Sequence, residues 1–276
     1  MTKLFNKLST RIIAAIIGIP LIVVLSLYGK FFFLIFVSFI GLVSFHEFSK
    51  MAKNRKAFTN NLIGYISILT IIINEYDQFI DFRTLFFLIV ASLLVFELFR
   101  NKESAITNLG VSFLGIFYIG FFSSSLVILR EFYNSSVFTY NQGGYLIISI
   151  LVTIWICDSS AYFLGIAYGK NKLMPRVSPN KTWEGAFAGF VFSIIGMLAC
   201  KALLSDFLNW SDAIIIGLII GTVGQIGDLI ESLIKRDTFV KDSSTIIPGH
   251  GGVFDRFDSL LFSAPVVYLY LSFVAK

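Results

Sequence analysis

The sequence predicts an all-α, polytopic integral membrane protein with about nine transmembrane helices and a cytoplasmic N-terminus. Three observations predict it. The 276 residues are 56% hydrophobic and only 14% charged, where soluble domains carry about 25% charged residues, and the mean hydropathy is +0.82. The apolar residues gather into nine segments, roughly 12–28, 31–45, 62–74, 85–99, 109–129, 145–168, 185–204, 213–234 and 259–275. Finally, the basic residues between those segments alternate in density from one to the next.

The first segment follows Lys3, Lys7 and Arg11 and resembles a secretory signal. No Ala-x-Ala-like site ends it and a second apolar segment follows at once, so it reads as an uncleaved span. A bilayer core of about 30 Å asks for ~20 apolar residues in a helix. The third and fourth segments are short; they either recruit flanking Asn and Phe residues or form one re-entrant pair. With the N-terminus inside and every segment spanning, 17 of the 22 Lys and Arg residues face the cytoplasm and 5 face the other side, as the positive-inside rule requires. Removing one of the weak pair would invert everything after it, so the count is nine or seven and not eight. The same placement in short loops assigns the net charge of +5 to membrane topology rather than to nucleic acid. The chain is therefore placed in the cell (plasma) membrane, multi-pass. Cys157 and Cys200 both fall inside apolar segments and make neither a disulfide nor a zinc pattern.

No linker separates domains, but the chain changes character near residue 150. Residues 1–144 keep their charges mainly at segment ends and read as a transmembrane scaffold half. Residues 145–276 carry Asp158, Glu184, Asp228 and Glu231 within or beside apolar runs. A carboxylate at the centre of a membrane helix costs roughly 2.5–3.5 kcal/mol on insertion scales, which marks this half as the catalytic one.

Asp228, Glu231, Ser232 and Lys235 are spaced i, i+3, i+4 and i+7, which places them on one helical stripe. That stripe leads into a loop holding Arg236, Lys241, Asp242 and His250, with Gly249, Gly251 and Gly252 around the histidine. Glycines let backbone N–H groups approach an anion, and several cations neutralise a polyphosphate together. Asp255 and Asp258 follow at i, i+3 with Arg256 between them. Magnesium binds through one or two carboxylates plus substrate phosphates, so Asp228, Asp255 and Asp258 are the candidate metal ligands. A second polar stretch runs from Gly169 to Gly185 and contains Lys170, Lys172, Arg176 and Ser178-Pro-Asn-Lys-Thr-Trp-Glu. An anchor needs charge alone, not a Trp and a Glu after a Pro turn. Gly165 to Lys170 has one residue too few for a P-loop, and Asn171 stands where a Ser or Thr is required. The sequence has no Asp-Gly dipeptide, which excludes the motif of enzymes that consume CDP-linked lipids.

The C-terminal segment resembles the phosphatidate cytidylyltransferases, or CDP-diacylglycerol synthases. Their pattern is matched at Ser232, Lys235, Arg236, Lys241, Asp242, His250, Gly251, Gly252, Asp255, Arg256 and Asp258 with every spacing kept. The likeness continues through Gln225-Ile-Gly-Asp228, Ser178 to Gly185 and Asp158-Ser-Ser-Ala-Tyr-Phe. It departs at Ser159-Ser160, where a Thr-Gly pair is more usual, and has no specific match in residues 1–144. The resemblance implies that CTP and phosphatidic acid give CDP-diacylglycerol and pyrophosphate with Mg²⁺, a second cation being allowed. The expected catalytic set is Lys235, Arg236, Lys241, Asp242, His250 and Arg256. Arg176, Ser178, Lys181, Ser232, Gly251 and Gly252 are expected to bind substrate, on the cytoplasmic face where CTP is found.

Two other classes share these residues. A secondary transporter would use Asp158, Asp228 and Glu231 as ion ligands, with Gly217, Gly221, Gly224 and Gly227 breaking the eighth segment. A CTP-dependent lipid kinase would leave CDP instead of pyrophosphate. The row Gly217, Gly221, Gly224 also permits close helix packing, either within one subunit or in a homodimer.

Overall fold

The computed structural model describes residues 2–132, 139–249 and 251–274, with side chains between residues 12 and 273 of those stretches. Each apolar segment is helical: α1 (Thr2–Tyr28), α2 (Lys30–Ala52), α3 (Asn61–Asp77), α4 (Phe82–Arg100), α5 (Ala105–Arg130), α6 (Tyr140–Tyr168), α7 (Trp183–Leu203), α8 (Trp210–Asp237) and α9 (Phe254–Val274). Among the described residues, six helices are long and apolar enough to cross a membrane: α2 with its 3₁₀ extension to Arg55, then α4, α5, α6, α7 and α8. Their outer faces are apolar too. Phe87, Leu98 and Phe99 on α4 are 69%, 78% and 80% exposed, which water would penalise and lipid does not. The chain is an all-α, multi-pass membrane protein, with α1, α3 and α9 outside that set of six.

Polar residues between the apolar runs start the helices. Asn60 accepts from Ile63 N ahead of α3, Asp81 from Arg83 N and Thr84 N ahead of α4, and Ser104 from Thr107 N ahead of α5. Capping boxes open α6 at Thr139 and Gln142 and α8 at Asn209 and Asp212. Each satisfies amide donors that the first helical turn leaves open.

The all-α expectation has one local exception. The polar stretch after α6 folds as an antiparallel ribbon of β1 (Lys172–Met174) and β2 (Ser178–Thr182). Pro175 occupies the second position of its turn, where its fixed φ is favourable, and Val177 N donates to Met174 O at 3.1 Å.

By contacts the chain divides into two compact units. The first comprises residues 1–25, 30–128 and 237–257. Its core joins Phe33, Val37, Ile40, Phe45 and Phe48 of α2 to Ile68, Ile71 and Ile72 of α3 and to Ile116 and Ile119 of α5. Close approach is set by small residues: a Cβ on Gly64 would lie 2.2 Å from the Phe45 ring.

The second unit comprises residues 26–29, 129–236 and 258–276. Its helices also meet at glycines. A Cβ on Gly185 would lie 2.6 Å from Ala161 O, joining α7 to α6, and one on Gly217 would lie 2.8 Å from Ile194 Cα, joining α8 to α7. Gly217 and Gly221 are thus covered by α7 of the same chain. They do not break α8, which passes them as a continuous helix with a π turn at Ile220–Gly224. Arg130, 1% exposed, donates to Ser26 O, Leu27 O and Tyr140 O, closing the carbonyl end of α1. Cys157 and Cys200 are free and buried.

Candidate active site

The second unit brings three carboxylates together. The π turn in α8 ends one residue before Gln225, and π turns often re-aim a functional face. Gly227 then lets α9 approach closely, since a Cβ there would lie 2.5 Å from Phe262 Cβ and 2.9 Å from Asp258 O. Asp228 is thereby brought beside Asp258, and Glu231 joins them one turn further along α8. The carboxylate oxygens of Asp228, Glu231 and Asp258 lie within 4.8 Å of one another. Asp158 on α6 and Lys235 lie within electrostatic reach of Asp258.

Two lysines answer these carboxylates. Lys235 Nζ lies 2.5 Å from Glu231 Oε2, with Glu231 completely buried. Lys181 pairs with Asp228 Oδ2, and Ser232 Oγ donates to Asp228 Oδ1 at 3.4 Å. Asp228, Glu231 and Asp258 are thus held close together in a partly buried place, where like charges repel strongly. Three hard oxygen donors held this close together are the chemistry a divalent cation such as magnesium requires, so the residues present fit one.

The ribbon supplies Lys181, and its anchoring explains the motif around it. Thr182 Oγ1 accepts from Gly185 N as the cap of α7, while Glu184 accepts from Lys170 N, Asn171 N and Asn171 Nδ2. Arg236 Nε donates to Val177 O at 3.2 Å, tying the ribbon to the end of α8. Ser178 is half-buried on β2 and Arg176 is exposed at the turn.

The first unit holds the loop before α9, and a residue the sequence reading passed over organises it. Glu47, completely buried on α2, accepts from Ser243 Oγ at 2.8 Å, Ser244 Oγ at 2.5 Å, Val253 N at 3.0 Å and Phe254 N at 2.9 Å. Asp255 Oδ2 accepts from Ser243 N at 2.9 Å and Gly252 N at 2.8 Å, and lies 2.9 Å from the same Ser243 Oγ, whose one hydrogen it shares with Glu47. Gly251 sits at φ +87° and a Cβ on Gly252 would lie 1.9 Å from Ser243 Oγ. Both glycines are therefore obligatory for the turn. Lys241, Asp242 and Arg256 are exposed, and His250 lies outside the described residues. Of the three expected metal ligands, Asp228 and Asp258 converge with Glu231, whereas Asp255 spends one oxygen on the loop. The only sign of Glu47 in the sequence is a carboxylate closing an apolar segment.

Comparison with known proteins gives a consistent picture. The profile of the Cytidylyltransferase family matches residues 9–274. A phosphatidate cytidylyltransferase of Brucella abortus (strain 9-941) is 33% identical over 272 residues, covering 98% of this chain and 96% of its own. One from Bacillus subtilis (strain 168) is 32% identical over 277 residues, covering 99% of each. One from Staphylococcus epidermidis (strain ATCC 35984) is 30% identical over 270 residues, covering 95% and 96%.

Proposed function

This chain belongs to the cytidylyltransferase family, and on that premise we propose that it transfers CMP from CTP to phosphatidic acid, giving CDP-diacylglycerol and pyrophosphate. An oxygen of the lipid phosphate forms a bond to the α-phosphorus of CTP. The bond from that phosphorus to the bridging oxygen of the β-phosphate breaks, and pyrophosphate departs with the electron pair. The observation that carries this reading is the convergence of Asp228, Glu231 and Asp258 with Lys181 and Lys235.

A phosphate monoester has a second pKa of about 6, so the attacking oxygen is already largely ionised at neutral pH. No general base is needed; the obstacle is repulsion between two polyanions. Asp228 and Asp258, with Glu231, would hold Mg²⁺, with room in the charge balance for a second cation. When bound, that metal neutralises phosphate charge and orients the reacting groups. Lys235, Arg236, Lys241, His250 and Arg256 are assigned to the triphosphate and the departing pyrophosphate, where preorganised charge stabilises the transition state. Lys181, Ser178, Arg176 and Ser232 are assigned to substrate phosphate. Asp255 acts by holding Ser243 and Gly252 in place, so that Gly251, Gly252, Lys241 and Asp242 present a fixed backbone to the nucleotide.

The topology that fits is nine spans with the N-terminus inside, in the cell membrane, which puts the site loops on the cytoplasmic face. The basic-residue distribution supports it, as does the helical state of all nine segments. In this reading residues 1–144 support the site and residues 145–276 carry most of it. CTP arrives from water, phosphatidic acid arrives laterally from the bilayer, and nucleic acid has no part. A homodimer would have to form on a face other than the one where α7 covers Gly217 and Gly221.

The test is pyrophosphate release by the detergent-purified protein from CTP, phosphatidic acid and Mg²⁺. Release that requires the lipid and stops with EDTA is expected. CDP as the product, or no release from folded protein, would overturn the reading.

A further inference from the structure

The first unit holds a basic recess that no part of the reaction above uses. A recess of about 430 Å³ lies where the end of α2, the loop before α3 and the end of α4 come together. Its charged lining residues are Lys53, Arg100 and Lys102, and none of its lining residues is acidic. Lys53 and Lys102 are exposed, Lys102 Nζ lying 3.9 Å over the Phe58 ring. Arg100 forms the fixed floor, donating to Phe58 O at 2.7 Å, Thr59 O at 3.0 Å and Glu97 Oε2 at 3.3 Å.

The N-terminus of α3 supplies neutral donors to the same recess. Asn60, 5% exposed, uses its carbonyl oxygen to cap Ile63 N, which leaves its amide Nδ2 buried with no hydrogen-bond partner. Asn61 uses its carbonyl oxygen to accept from Ser49 Oγ at 2.6 Å and Thr59 Oγ1 at 2.7 Å, which leaves its amide hydrogens to donate. Two exposed lysines, an arginine paired with Glu97, two side-chain amides and a helix N-terminus make a set of donors for an anion.

An apolar groove of about 590 Å³ adjoins this recess and shares Phe96 and Arg100 with it. Ser92, Val95, Phe96 and Phe99 fall at i, i+3, i+4 and i+7 on α4, with Ile63 of α3 alongside. That stripe covers about 10 Å of helix on a face where Val95 is 59% and Phe99 80% exposed. A free phosphate or nucleotide has no use for it; an acyl chain does.

We propose that this surface is a binding site for an anionic phospholipid, its phosphate held by Lys53, Arg100 and Lys102 and one acyl chain lying along Ser92, Val95, Phe96 and Phe99. Basic recesses beside membrane helices recognise anionic headgroups in this way. The site is separate in sequence from Asp228, Glu231 and Asp258, so its occupant need not be the reacting lipid.

Native mass spectrometry of the full chain, titrated with phosphatidylglycerol or with phosphatidylcholine of the same acyl chains, tests this. Wild type is expected to retain phosphatidylglycerol in preference to phosphatidylcholine, and millimolar inorganic phosphate should not displace it. Lys53→Ala with Lys102→Ala should weaken phosphatidylglycerol retention roughly thirty-fold, taking each lysine at its usual contribution to headgroup attraction. Phe99→Ser, at an exposed position, should weaken both lipids. Arg100 is left intact because it braces the loop before α3. Equal retention of the two lipids, undiminished retention by the double variant, or displacement by phosphate alone would each overturn the proposal.

Discussion

Two groups of carboxylates in this protein are held on opposite terms. Glu47 and Asp255 are surrounded by six N–H and O–H donors, the Ser243 hydroxyl being shared between them. Asp228, Glu231 and Asp258 face one another, with Asp158 in reach and two lysines as the balancing cations. Neutral donors stabilise a carboxylate where it stands and make it a structural anchor. Carboxylates left to repel one another are poised for a cation. On the proposed reading, the difference separates residues that shape the loop from residues that would hold a metal, although Asp255 and Asp258 are one helical turn apart.

The comparison can be broken first at its chemical end. Asp228→Asn or Asp258→Asn should lower lipid-dependent pyrophosphate release by about 10³-fold or more. Thermal stability should stay level or rise, because repulsion is relieved. A large drop in melting temperature would make these carboxylates structural instead. Lys241→Ala should cost about 10²–10³ in turnover with the fold intact, since this side chain is exposed and its role is to meet phosphate.

At the structural end, Asp255→Asn should also stop turnover, but with a lowered melting temperature, because Ser243 and Gly252 lose their acceptor. Glu47→Gln should behave likewise, destabilising by about 2–3 kcal/mol through misplaced buried donors. Retained stability with lost activity would move either residue into the chemical group. The smallest effect is expected for Arg55→Ala. Its ion pair with Asp237 is 2.8 Å long, yet the two side chains are 45% and 63% exposed, so unfolding in denaturant should shift by no more than about 1 kcal/mol.

Much of this was legible in the residues themselves. Each of the nine apolar segments became a helix, because hydrophobic runs ended at Asn60, Asp81, Ser104 and Asn209 leave the backbone no better choice. The stripe from Asp228 to Lys235 was readable because helical spacing alone puts those residues on one face. What spacing could not reach was pairing across the chain. Glu47 meets partners 196 to 207 residues away, and Lys181 meets Asp228 47 residues on. Spacing also could not reach the partners of Asp255, which hydrogen-bonds to the preceding loop. A carboxylate in the first turn of a helix can turn back to the preceding loop, and Asp255 does so because Ser243 and Gly252 offer it two backbone N–H groups and a hydroxyl shared with Glu47.

The central claim is that the Asp228 group, rather than Asp255, holds the metal. Its most direct test is the electron paramagnetic resonance signal of Mn²⁺, as a substitute for Mg²⁺, bound to detergent-purified wild type, Asp228→Asn and Asp255→Asn. Bound Mn²⁺ should be lost in Asp228→Asn and kept in folded Asp255→Asn. The reverse pattern, or undiminished binding in Asp228→Asn, would contradict the account.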